Sequence, residues 1–175
     1  MKVLKFGGSS LANPARFRDV ADISSHYAAD TPVMLVLSAP QGVTNDLVAL
    51  VSAAQQGGDW QAALDSLQAR FEALIIDADP TLPEYERHAL LQAARDQVQV
   101  LADYAKGIAL LQHCPDPVQA RMLGTGEQFS VALMTASLKA RGLDTGALDA
   151  TRLVKSQGDY LNASADIPAT IAAFT

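Results

Sequence analysis

Two short apolar runs, residues 3–6 and 33–37, each break off into a loop of small and polar residues and then enter helical periodicity. The first ends at Gly7-Gly8-Ser9-Ser10, the second at Ser38-Ala39-Pro40-Gln41-Gly42. Val33 to Leu37 are uninterrupted and aliphatic, the pattern of a strand covered on both faces in a parallel sheet. After the first loop, Phe17, Val20, Ala21, Ser24 and Tyr27 recur at three- and four-residue steps, predicting a helix over 14–29 that opens on Pro14 and stops before Pro32. After the second, Thr44 is expected to cap a helix on which Leu47, Val48 and Val51 share a face. Strand, loop, helix, strand, loop, helix leaves few solutions other than an α/β domain on a mostly parallel sheet.

Residues 59–112 then turn helical: Asp59 is a candidate cap before Trp60, Leu64, Leu67 and Phe71, and Asp77 to Pro83 break the run. Leu90, Leu91, Ala94, Val98, Leu101 and Tyr104 resume it over 84–111. This reads as a helical excursion between sheet strands, closed by Pro115 and Pro117. A further helix is expected through 122–141, interrupted or begun near Gly124-Thr125-Gly126 and stopped by Gly142. Residues 143–149 and 153–156 are weak strand candidates.

The chain has 175 residues, 49% hydrophobic but only 6% aromatic, so one domain with an aliphatic, mainly helical core is expected. A net charge of -6 without any Lys/Arg cluster argues against nucleic acid as a partner. Local groups must therefore attract any anionic substrate. One cysteine, Cys114, allows no internal disulfide and no cysteine-rich metal site, and His26, His88 and His113 read as surface or packing residues, so no metal ligand is assigned. No apolar run approaches the ~20 residues that span a bilayer, and the opening lacks a charged leader, from which a cytoplasmic protein is expected.

Three segments could carry chemistry. In Lys5 to Ser10, adjacent glycines let the backbone approach an anion with its N–H groups, and Lys5 lies inside the strand on the same side of the pleat as Val3, which is read as a buried side. The order is not that of a Walker loop. A plain strand-to-helix turn with Lys5 in solvent fits the same residues. In Ser38 to Asn45, Ser38 and Thr44 are either a strand-end residue and a helix cap or a second wall beside the first loop, because ligands of open parallel sheets bind beyond the carboxyl ends of strands. In Gly124 to Ser130, Glu127 follows a flexible Gly-x-Gly at the start of an apolar helix. It either offsets the helix dipole or receives an ammonium group.

Taken together, Lys5 to Ser10, Ser38 to Asn45, and Gly126-Glu127 with Ser130 and Leu133 resemble, in order, the signatures of the aspartokinases within the amino-acid kinase family. The stretches around 3–13, 36–40 and 107–116 are similar to the kinase portion of bifunctional aspartokinase/homoserine dehydrogenases. The resemblance implies a three-layer α/β sandwich, here the N-terminal, amino-acid-binding part. It implies ATP-dependent phosphorylation of the aspartate side-chain carboxylate, with ATP and Mg²⁺, as the first step of the aspartate-family pathway. It further implies that Lys5 meets the transferring phosphoryl group, that Gly7, Gly8 and Ser9 donate to phosphate oxygens, that Ser38 and Thr44 line the aspartate site, and that Glu127 receives the amino group. Pro40 departs from the smaller residues usual in that loop. The glycine-rich segment over ATP and the regulatory domains of that family come later than residue 175. The chain is therefore expected to be incomplete at its C-terminus, inactive alone, and prone to self-association as a homo-oligomer. A non-catalytic amino-acid-binding module and a kinase of glutamate or acetylglutamate are the competing readings.

Overall fold

A computed structural model describes residues 1–173. Strand β1 (Lys2–Phe6) pairs in parallel with β2 (Val33–Leu37), Lys5 opposite Val36 and Phe6 opposite Leu37. Between them a short 3₁₀ turn (Gly8–Leu11) leads into α1 (Pro14–Ala28), the crossover that parallel pairing requires. Asn13 caps α1 by accepting the Arg16 N–H at 3.0 Å, and Phe17, Val20, Ala21 and Ser24 form its buried face. Tyr27, expected on that face, is exposed, and the Lys2 ammonium sits 4.4 Å from the centre of its ring.

Among the described residues, helices cover only one face of the strand pair. Leu37 is buried and Phe6 and Leu35 pack on the core, while Val3 (59% exposed), Met34 and Val36 (45%) face outward. The expectation of a β2 covered on both faces is thus corrected, and so is the buried side for Lys5. Residues alternate faces along a strand, so Lys5 shares the open face with Val3.

Helix α2 (Val43–Gln55) has Gly42 at its cap and starts two residues too early for Thr44 to cap it. Pro40 carbonyl accepts the Val43 N–H at 3.0 Å, and Gly42 closes this tight turn at φ +87°, a conformation that a side chain would strain. Thr44 is therefore an exposed first-turn residue. Leu47 and Val51 turn inward as expected, but Val48 lies outside.

The excursion is a helical hairpin, α3 (Trp60–Ala78) and α4 (Glu84–Leu111), with Asp59 accepting the Ala62 N–H at 3.0 Å as the cap. Pro117 opens an additional short helix, α5 (Asp116–Leu123), because a proline in the first turn gives up no intrahelical bond. Helix α6 (Thr125–Ala140) follows directly after Gly124, and Gly142 ends it at φ +82°. There the Gly142 and Leu143 N–H groups close back on the Lys139 and Leu138 carbonyls.

Beyond Gly142 no strand forms over 143–149, and of the expected strand at 153–156 only Ser156 joins a ladder. Asp149 instead accepts both the N–H and the hydroxyl of Thr151 and starts a single turn, α7 (Ala150–Leu153). A two-residue antiparallel pair, β3 (Ser156–Gln157) with β4 (Ser164–Ala165), and α8 (Ile167–Ala172) complete the described chain.

One buried polar cluster ties the helices together. Asp79, only 1% exposed, accepts the Thr81 N–H and hydroxyl on one oxygen and Arg141 on the other. Arg141 also donates to Asp22 on α1 and to the Ser137 carbonyl. With its partners in place Asp79 is a satisfied charge rather than a reactive one.

Candidate functional site

The three segments singled out in the sequence meet at the carboxyl ends of β1 and β2. Ser38 N–H donates to the Phe6 carbonyl at 3.1 Å, which lays the second loop directly beside the first. A β-carbon placed on Gly8 would lie 3.1 Å from the Ala39 carbonyl oxygen. One placed on Gly126 would lie 2.6 Å from the Ala39 β-carbon and 2.9 Å from Val43 Cγ1. Ala39 is therefore the common contact, flanked on one side by the glycine loop and on the other by the start of α6. Pro40, at which this loop departs from the usual pattern, is buried and supplies the carbonyl that starts the turn into α2.

The glycines at the start of α6 are not a flexible hinge. Gly124 has helical angles (φ -70°, ψ -8°) and Gly126 is buried inside the first turn. Gly126 serves close approach: the backbone of α6 can touch the β2–α2 loop there only without a side chain at the contact. Phe129, one turn further on, stacks on Phe71 of α3 with ring centroids 4.1 Å apart.

Glu127 stands in the first turn of α6, where the helix dipole favours a carboxylate. Its Oε2 is buried and has no hydrogen-bond partner, and neither has the hydroxyl of Ser130, which lies three residues later on the same helix face and is fully buried. Buried polar atoms are nearly always paired, so two orphans side by side mark a place where a donor belongs. In the first loop the earliest intrahelical bond runs from Ser10 N–H to the Gly7 carbonyl at 2.9 Å, leaving the Gly8 and Ser9 N–H groups ahead of it. Lys5 is exposed and has no ion-pair or hydrogen-bond partner among the described residues. Ser38 is half-buried at the end of β2 and Thr44 exposed at the start of α2.

Around Ala39 the glycine loop, with its two free backbone donors, lies on one side and the start of α6, with the unpaired Glu127 Oε2, on the other. A model of the amino acid kinase family matches residues 1–171.

The chain belongs to the amino acid kinase family.

Its likeness to individual members is consistent with this. It is 31% identical over 170 residues to the bifunctional aspartokinase/homoserine dehydrogenase of Haemophilus influenzae, covering 95% of this chain and 20% of that protein. It is 28% identical over 168 residues to the bifunctional enzyme of Buchnera aphidicola, covering 95% of this chain and 21% of that one. Among solved structures, Escherichia coli aspartokinase III in complex with aspartate and ADP superposes over the whole chain with a TM-score of 0.83 at 25% identity. The match takes in 37% of that chain. The chain thus spans about a fifth of the length of these curated relatives.

Sequence reasoning missed the residues that hold these loops. Arg70 on α3 reaches the β2–α2 loop, and the Asp79–Arg141 cluster locks α3 to α6. Neither belongs to a motif, and an isolated Arg or Asp in a helical stretch gives no sign of its partner. Two clefts of the described chain lie elsewhere, one of about 260 Å³ between α4, α5 and α6 and one of about 540 Å³ beside α1 and β2, and neither holds an assigned site residue.

Proposed function

We propose that this chain forms the amino-acid-binding part of an aspartate kinase, residues 1–175, with the α3–α4 hairpin as an elaboration of the fold. The observation that carries the proposal is the buried, unpartnered Oε2 of Glu127 at the junction where the three loops pack. An α-ammonium group is the donor that such an oxygen lacks. It would form a charge-assisted bond of ~1.5–3 kcal/mol. An N-acetylated acceptor offers no ammonium, which favours a free amino acid over acetylglutamate. The E. coli relative binds aspartate and ADP, in keeping with this choice.

In this reading Glu127 holds the ammonium, and Ser38 and Thr44 line the space for the rest of aspartate. The side-chain carboxylate then points toward the Gly7-Gly8 loop and its free backbone N–H groups. Lys5 neutralises charge on the transferring phosphoryl group, while the N–H groups of Gly8 and Ser9, presented through Gly7, and the Ser9 hydroxyl hold its oxygens. Phosphoryl transfer needs positioning and charge stabilisation more than covalent chemistry, and these residue types supply both. No cluster of three or more His, Cys, Asp or Glu forms among the described residues. Magnesium enters as the counter-ion of the ATP phosphates, as the family resemblance implies.

The test is titration of the isotopically labelled chain with L-aspartate and with succinate, which keeps both carboxylates and lacks the amine. Aspartate should perturb residues 38–44 and 126–130 and bind at least ~10-fold more tightly than succinate, and Glu127→Gln should erase the difference. Equal affinities for the two acids in the parent chain would refute the role of Glu127. An absence of aspartate-dependent perturbation on this rim would refute the acceptor site as a whole.

A further inference from the structure

The geometry points to Arg70 as a positioning residue that fixes the β2–α2 turn and thereby the spacing between Ser38 and Thr44. Arg70 lies on α3, outside every motif. Its Nη1 donates to Asp46 Oδ2 at 2.5 Å, and its Nη2 donates to the Gln41 carbonyl at 2.9 Å. One planar group thus holds both sides of the turn, and the fork of an arginine is what can meet two acceptors at once. Between them lies Gly42, where a β-carbon would come within 3.2 Å of the guanidinium. The absent side chain makes room for the clamp as well as permitting the positive φ.

The turn needs an external hold. Within the loop it is closed only by the Val43 N–H on Pro40 and the Asp46 N–H on Gly42, both at 3.0 Å. Gly42, the residue between these bonds, has the widest backbone freedom of any residue type. Arg70 itself is placed by its neighbour: Phe71 stacks on Phe129 of α6, the helix that carries Glu127. Helix α3 therefore sets both sides of the acceptor site from behind, the Ser38–Thr44 side through Arg70 and the Glu127 side through Phe71. Only the consequence for aspartate rests on the function proposed above. The hold on the turn does not.

Amide hydrogen exchange of Val43 and Asp46 and aspartate affinity are to be measured on the whole chain with Arg70→Ala, Arg70→Lys and Asp46→Asn. Arg70→Ala should speed exchange at both amides at least ~10-fold, while amides in α4 and α6 keep their protection and report an intact fold. Aspartate affinity should fall ~5- to 20-fold, Arg70→Lys should recover part of both effects because it keeps the charge and loses the fork, and Asp46→Asn should fall between. Unchanged exchange at Val43 and Asp46 in Arg70→Ala overturns the assignment. So does faster exchange with undiminished aspartate affinity in a parent chain that binds aspartate. If the parent chain binds no aspartate, the acceptor site fails while the exchange arm still decides whether Arg70 holds the turn. If Arg70→Ala unfolds, the same two criteria apply to Asp46→Asn.

Discussion

Replacing Gly126 with alanine tests the packing that brings the three loops together. The added β-carbon would stand 2.6 Å from the Ala39 β-carbon and 2.9 Å from Val43 Cγ1. Carbon atoms prefer ~3.5–4.0 Å, so Ala39 must retreat by about 1 Å. Neither neighbour can yield cheaply: the first is fixed to its backbone, and Val43 is wholly buried. Overpacking of this kind costs ~1–3 kcal/mol, and the rigid contact puts this case near the upper end. Alanine regains ~1 kcal/mol as the better helix former, which leaves a net loss of about 2 kcal/mol. In a chain of this size that is a melting temperature lower by roughly 4–8 °C. Gly107, inside α4, is the control, since a β-carbon there meets nothing within 4 Å. Gly107→Ala should raise stability by up to ~1 kcal/mol. Thermal unfolding followed by circular dichroism compares the two. A Gly126→Ala chain as stable as the parent, with Gly107→Ala behaving as expected, would refute the claim that Gly126 is there for close approach.

Lys5→Met should leave unfolding within ~0.5 kcal/mol of the parent, because the exposed ammonium has no partner to lose. In any longer polypeptide that contains these residues and phosphorylates aspartate, the same change should lower kcat at least ~100-fold, read by coupled ADP release. Asp79→Ala should cost ~3–5 kcal/mol in urea unfolding by removing the buried carboxylate that Arg141 and Thr81 share, whereas Asp22→Ala, at the exposed end of the same cluster, should cost no more than ~1 kcal/mol. Burial, reinforced by the Asp116 charge, raises the Cys114 thiol above its ordinary range, so its neutral form persists to higher pH. Alkylation by iodoacetamide should be slow at pH 8 and accelerate only above the pH at which a free thiol ionises.

The parts of this molecule legible in its sequence are those whose cause is local. Val33–Leu37, the caps at Asn13 and Asp59, and the stop at Gly142 each follow from a few adjacent residues. Two of the three site segments were legible because small residues, hydroxyls and charges cluster at predicted strand ends, and the third because a carboxylate follows Gly-x-Gly at a predicted helix start; the structure packs them around Ala39. What sequence could not supply was set by contact over distance. The uninterrupted run Val33–Leu37 has the pattern of a strand with two covered faces, yet among the described residues helices pack on one face alone and leave Val3 and Lys5 exposed on the other. Thr44 has the chemistry of a cap, but the turn built on Pro40 and Gly42 had already started the helix. Gly126 looks flexible in isolation, and only the approach of Ala39 reveals why it is small. Within residues 143–156 one carboxylate, Asp149, caps a single helical turn over Ala150–Leu153.

The reach of Arg141 bears on the order in which the chain assembles. Its bonds to Asp22 join residues 119 apart in sequence, whereas α3 and α4 are neighbours across a short turn. By loop-closure entropy, tying the distant pair costs about 3 kcal/mol more than closing that turn. The hairpin can thus form early from nearby contacts, and the bridge from α6 back to α1 comes late, once β1, β2 and the intervening helices are in register. An interaction absent from the transition state acts on the escape rate alone. Arg141 accordingly works as a latch: it does little to hasten folding, and it lengthens the time the assembled rim stays closed.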